Sequence, residues 1–297
     1  MEKNKGVANR LSPLNNLVFA SLFQDMESAP AMLELLNAIL EAVNEEPVEE
    51  ILSIQSEYPL IAKGAGAKYG RVDVLVRAKS KRVFDFEVQI EWDAMNSRGF
   101  FYGGRLMTDE FKEGQPYEEM PKLRVINLLD FVMRKDNKEM VQPVIFAYGN
   151  EPVREATDIF KIYNIQMPIF RKKYKTLESV KGNVFYTWLY LLDRGYKSEE
   201  EMEAMAMMSE GMMTFAKRYN IAINDPDLKA LYRMEQDALH EEASRLRNAE
   251  KRGEKRGEER GERNEKLRNA KNMKMKGYPL ADIADITGLT LKDINAL

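Results

Sequence analysis

The chain has 297 residues, 44% of them hydrophobic, enough for one large domain or two smaller ones with a real core. Its 45 Lys and Arg stand against 48 Asp and Glu, so the formal net charge is −3 and no global basic field marks it for nucleic acid; local patches must do that work if it is done. The absence of cysteine excludes disulfides and thiolate zinc sites, and the single histidine, His240 in DALHEEAS, excludes multi-histidine metal centres and reads as a solvated surface group.

The opening MEKNKGVANR lacks an apolar signal region, and no apolar run approaches the ~18 residues of a membrane span. A soluble cytoplasmic protein is expected. Residues 13 to 43 carry apolar side chains at helical spacing, with Pro30 opening a second helix. Ile51 to Glu57 alternates as a strand, and Gly64 and Gly66 mark a loop.

The stretch RVDVLVRAKSKRVFDFEVQIEW, residues 71 to 92, reads as two adjacent strands. Val72, Val74 and Val76 point one way; Arg71, Asp73, Leu75 and Arg77 point the other. On the second strand Phe84, Phe86, Val88 and Ile90 form an apolar face, and Asp85, Glu87, Gln89 and Glu91 a polar one. A polar face of this kind is costly unless it meets water, bases or a cation. An antiparallel register centred on Ser80 sets Asp73 opposite Glu87, roughly 5 Å apart at Cβ. Two carboxylates at that distance are poised to share a divalent metal through oxygen ligands. The bland alternative is that they pair with Arg71 and Arg77 on a solvated sheet face. Asp85 and Glu91 read as peripheral, and Trp92 as core or strand-end packing.

Residues 93 to 112 read as a helix with Phe100, Phe101, Leu106 and Met107 inward. Leu123 to Phe131 and Val141 to Tyr148 read as central strands, and Ile159 to Phe170 as an edge strand because of Pro168. From residue 173 the pattern is helical. NVFYTWLYLLDRG ends at Gly195, and a Met-rich segment (Met202, Met205, Met207, Met208, Met212, Met213) reads as adaptable core. The charged stretch 226–276 contains EKRG, EKRG and EERG, which carry Gly253, Gly257 and Gly261 along one slowly drifting stripe. That stripe reads either as a solvated linker helix or as a helix-pairing surface. The last part, MKMKGYPLADIADITGLTLKDINAL, reads as a compact helix-turn-helix with Ile283 and Ile286 inward and Thr290 as a cap.

Asp73, thirteen residues, then Glu87-Val88-Gln89 fits the D…(D/E)xK pattern of restriction-type nucleases, with Gln in place of Lys. A helix follows at once, with Arg98 and Tyr102 one turn apart. Together with LSPLNNLVFASLFQD…LLNAIL, GQPYEEMPKLRVINLLDF, the charged repeat and the terminal TGLT, these features resemble the recombination-promoting nuclease and transposase family. That family is a branch of the PD-(D/E)XK nuclease superfamily, and the resemblance covers most of the chain.

The resemblance implies an α/β, restriction-endonuclease-like three-layer core with a central mixed sheet, followed by a helical C-terminal region. It divides the chain into a nuclease-like domain over 1–172, a helical extension over 173–225, a charged linker helix over 226–276 and a helix-turn-helix-like element over 277–297. It implies a metal-dependent DNA endonuclease acting in recombination or mobile-element transfer. Asp73 and Glu87, with the backbone carbonyl of Val88, would bind Mg²⁺ or Mn²⁺. Gln89 stands where a lysine usually orients the attacking water, and Arg98 and Tyr102 would support the phosphate or the metal face. DNA would meet Lys63, Lys68, Arg71, Arg77, Lys79, Lys81, Arg82 and Arg105, and double-strand cleavage would call for a homodimer through the C-terminal helices. Asn16 and Ala20, around Phe19, depart from the family's D-x-x-F-K helix, which favours a catalytically degenerate DNA-binding or protein-interaction module as the runner-up. Glu57 is a candidate substitute acid.

Overall fold

The computed structural model describes residues 11–60, 70–89, 95–134, 136, 138–149, 154–196 and 198–297. The Gly64–Gly66 loop, Lys63, Lys68, Ile90, Glu91 and Trp92 lie outside the described residues. The chain forms two compact units, 1–232 and 233–297.

The first unit opens with α1 (Asn16–Leu22), capped by the Asn15 side chain, and α2 (Ala29–Ala42), with Pro30 in its first turn. Then β1 (Ile51–Leu60), β2 (Gly70–Ala78) and β3 (Arg82–Gln89) form an antiparallel meander. Its β2–β3 register pairs Val74 with Phe86 and Ala78 with Arg82, so the connection is centred on Ser80 as the alternation predicts. Next, α3 (Met95–Glu110) crosses over to β4 (Lys122–Leu129), which runs parallel to β3. The sheet is completed by β5 (Val141–Ala147) and β6 (Glu155–Gln166), in the order β1-β2-β3-β4-β6-β5.

Here the sequence expectation is reversed. Outermost is β5, interrupted by Pro143, whereas β6 lies between β4 and β5. Pro168 does not touch the ladder, because it sits in the first turn of α4 (Met167–Lys173), where a missing N–H costs nothing.

Helices cover both faces of the mixed sheet, the three-layer α/β architecture expected from the sequence. On one face Val74, Val76, Phe84, Phe86, Val88, Ile126, Leu128 and Ile165 pack with α1, α2, α4, α5 (Val184–Arg194), α6 (Glu199–Ala206) and α7 (Glu210–Ala222). On the other, Leu75, Val83, Leu123, Val125, Phe160 and Ile162 pack under Leu106 of α3. Val72 joins this second group, which strict alternation does not predict. Leu106 is inward as expected, but Phe100 and Phe101 are exposed. Phe100 instead stacks at the sheet margin on Phe160, 5.8 Å between ring centroids. Only part of the methionine stripe is core: Met205 and Met212 are buried, and Met207, Met208 and Met213 are exposed.

The helix α8 (Pro226–Met275) runs from the first unit into the second. Within the second unit, Ala270 near its end packs with Ile283 of α9 (Leu280–Thr287) and Ile294 of α10 (Leu291–Asn295). Gly288 takes the left-handed turn (φ 68°), and Thr290 caps α10. Ile286 is exposed rather than inward, because this two-helix element offers one narrow stripe to α8 and Ile283 already fills it.

Candidate active site

The site is built from the carboxyl end of β3, its neighbour β2 and the helix that follows them. Strand alternation sends Asp85 and Glu87 to the α3 side, beneath Arg98 and Tyr102. Two glycines let α3 come down onto the sheet. A Cβ on Gly103 would lie 2.2 Å from the Phe160 ring, and one on Gly99 would lie 3.1 Å from Ile162. The helix therefore closes over the polar face that the sequence leaves open.

Asp85, Glu87, Gln89, Arg98, Gly99, Tyr102, Val125 and Asn127 line one small cavity of about 10 Å³. Asp73 joins from β2: its Oδ2 accepts from the Val88 N–H at 2.8 Å. The Gln89 amide donates to Glu87 Oε2 at 2.9 Å. The Arg98 guanidinium lies over the Tyr102 ring, 5.2 Å from its centroid. So Asp73, Glu87, Gln89, Arg98 and Tyr102 come together at one place. Val88 contributes its N–H to Asp73, while its side chain is buried on the opposite face.

Asp85 is the residue that sequence reasoning misplaced. It is not peripheral: it is 0% exposed, and no hydrogen bond reaches either carboxylate oxygen. Glu87 is 3% exposed, and its Oε1 is equally without a partner. The available signal was the count of carboxylates on one strand face. The covering helix was not visible in that count.

Burial dominates the electrostatics. It pushes Asp73 up to about 6, against the pull of the Val88 N–H and the Arg98 charge. It raises Asp85 well above the usual carboxylate range, helped by the charge of Asp73. Glu87 rises well above its ordinary value for the same reason, helped by Asp85 and Asp73. Arg98 opposes all three rises.

The solvated ion-pair alternative does not hold. Arg77 is engaged by Glu110 (2.6 Å) and Gln55, and Arg71 pairs with Glu57 (3.2 Å), with only its charge acting on Asp73. Glu57 thus has an exposed arginine partner of its own. Lys79, Lys81 and Arg82 do not surround the acids either. They occupy the turn at the far end of β3, roughly 20 Å from Glu87 at ~3.3 Å per strand residue. Each is paired there, with Glu50, Glu119 and Glu45 respectively. Val18, Phe19 and Leu22 of α1 pack on the Phe86 side of the sheet, with the Phe19 and Phe86 rings 6.1 Å apart. Ala20 is buried in the same helix.

Among the described residues no three acidic or histidine side chains are grouped to chelate one ion. The donor set still suits a hard divalent cation that keeps much of its water, because such a cation is commonly held by one or two carboxylates and the substrate phosphate. Glu87 Oε1 is a buried oxygen without a hydrogen-bond partner.

Among the described residues no helix is long and apolar enough to cross a membrane. Neither a curated protein nor a solved structure matches the chain. The family model for PD-(D/E)XK nuclease family transposases matches residues 13–249, and nucleases of this kind typically use divalent metals and act on DNA. With the matched span taking in the paired strands, the covering helix and most of the helical half, the chain belongs to the PD-(D/E)XK nuclease family transposases.

Proposed function

We propose that the chain is a Mg²⁺-dependent (or Mn²⁺-dependent) DNA endonuclease that hydrolyses phosphodiester bonds in recombination or mobile-element transfer, in the cytoplasm. The observation that carries this is the convergence of Asp73 and Glu87 under Arg98 in a chain of this family. Asp73 and Glu87, with the Val88 carbonyl as a further oxygen donor, would hold the cation, which when bound would offset the charge that builds on the phosphate. Gln89 cannot accept a proton as a general base, but its amide can hold and orient a water. Glu87 holds that amide in place. Arg98, with its guanidinium over the Tyr102 ring, offers a positive charge to the scissile phosphate. The nuclease-like domain spans 1–172, with the extension, linker helix and terminal element following at 173, 226 and 277. A homodimer through α8 supplies the second site needed to cut both strands.

The test is nicking of supercoiled plasmid with Mg²⁺, Mn²⁺ or EDTA, comparing the wild type with Asp73→Ala and Glu87→Ala. Metal-dependent cleavage lost in both variants supports the reading. Absence of cleavage with either metal, in folded protein that still shifts DNA on a gel, overturns it. That outcome would favour the degenerate binding module, the reading that the Asn16 and Ala20 departures support.

A further inference from the structure

Asp85 has no assigned task in the reading above, yet it is the most completely buried charged side chain beside it. Both its oxygens lack a protein partner, and so do Glu87 Oε1 and the Arg98 Nε–H. Leaving such groups unsatisfied costs their full desolvation penalty, which is larger when the group is charged. All three residues line the same cavity, whose volume of about 10 Å³ is close to that needed by one water. The donor count also closes. One water accepts a single hydrogen bond from Arg98 Nε and donates two, one to one Asp85 oxygen and one to Glu87 Oε1, the three bonds typical of a buried water, and leaves the second Asp85 oxygen unpaired.

We propose that Asp85 is a positioning residue: with Glu87 it holds the Arg98 Nε–H through one buried water and so fixes the guanidinium over the acidic strands. The Tyr102 ring, 5.2 Å from the guanidinium carbon, attracts the cation but leaves it free to rotate. A second anchor at Nε removes that freedom and leaves the terminal nitrogens for a phosphate. Asp85 touches neither phosphate nor cation in this arrangement; it acts through Arg98. The inference deepens the nuclease reading, but its main test does not require cleavage.

The test is the NMR signal of the Arg98 side-chain Nε–H in the full chain without metal, assigned by its loss in Arg98→Lys. The expected result is a resolved, slowly exchanging signal in the wild type. It should exchange at least tenfold faster in Asp85→Leu, a substitution of similar volume that removes the acceptor, and be retained in Asp85→Asn, which keeps one acceptor. Asp85→Ala gives the same reading should the leucine variant not fold. Fast exchange in the wild type, or unchanged exchange in Asp85→Leu and Asp85→Ala, overturns the proposal. In the plasmid assay Asp85→Leu should lower kcat with KM little changed, and adding it to Arg98→Ala should cost nothing more. Additive losses would mean that Asp85 does not act through Arg98. A protein that cuts no DNA but shows the protected Nε–H would fail as a nuclease while keeping this arrangement.

Discussion

The Val88 N–H donates to the Asp73 carboxylate at 2.8 Å, so one of the two acids proposed to hold the cation is tied to the backbone of the strand that carries the other. Its structural and chemical roles can therefore be separated. Asp73→Asn keeps an acceptor for that N–H and should retain nearly full stability while losing metal-dependent cleavage. Asp73→Ala leaves the N–H unpaired and should cost a further ~1–3 kcal/mol. Urea denaturation of the two variants, beside the plasmid assay, checks this. Equal stability of both would mean that the hydrogen bond contributes nothing.

Asp85 sets a stability gradient with pH. Burial raises its native pKa above the value of roughly 4 expected in the unfolded chain. The native state therefore binds more protons than the unfolded state in the window above ~4, and stability falls as pH rises through it. Asp85→Asn removes its share of that slope, while Asp73 and Glu87 keep theirs. In EDTA the variant should be more stable than the wild type at pH 8, and the gain should shrink toward pH 5. Urea midpoints at the two pH values measure it, and a gain that grows on acidification would reverse the sign.

Glu45 predicts the opposite trend at the other end of the sheet. Although burial acts to raise it, hydrogen bonds from Arg124 and Tyr163 and the charges of Arg124 and Lys161 outweigh that and bring it to about 2. Its stabilisation is fully present above the unfolded value of roughly 4.3 and is lost as pH falls toward 2. Glu45→Ala strands the buried Arg82 and Arg124 and should cost about 3 kcal/mol at pH 7. The difference from wild type should narrow in acid unfolding curves below pH 4.

Two adjacent glycines of α3 should respond in opposite directions. Gly103→Ala drives a methyl group into the Phe160 ring and should destabilise by about 2 kcal/mol while lifting Arg98 and Tyr102 off the acids. Gly104→Ala meets nothing within 4 Å and should stabilise by up to ~1 kcal/mol through helix propensity. Thermal unfolding of both variants tests whether the closeness of α3 to the sheet is what builds the site.

The stripe of Gly253, Gly257 and Gly261 tests the dimer. A Cβ at each position meets nothing within the chain, so the triple Gly→Ala variant should gain helix stability, about 1 kcal/mol per site. If α8 pairs with a second copy through this stripe, the same variant should fall from dimer to monomer in sedimentation. An unchanged mass would leave the stripe as a solvated linker face.

Local sequence determined a good deal on its own. The alternation in residues 71 to 89 set the strand pair, its register about Ser80 and the common placement of Asp73 and Glu87, because a one-residue slip would turn every side chain to the wrong face. Caps at Asn15, Ser209 and Thr290 and the turn at Gly288 were likewise decided by side chains acting within a few residues. Tertiary structure decided the rest. A polar strand face looks the same in sequence whether it meets water or a helix, so only the β3–α3–β4 crossover, closing through Gly99 and Gly103, turned Asp85 from a peripheral acid into a buried one. Strand order is also a long-range property. Pro143 and Pro168 both weaken a strand locally, but the pairing of β6 with both β4 and β5 decided which one marked the edge. The lysines and arginines near the acids in sequence ended at the far end of the strands or on acidic partners, because separation along an extended strand becomes separation in space.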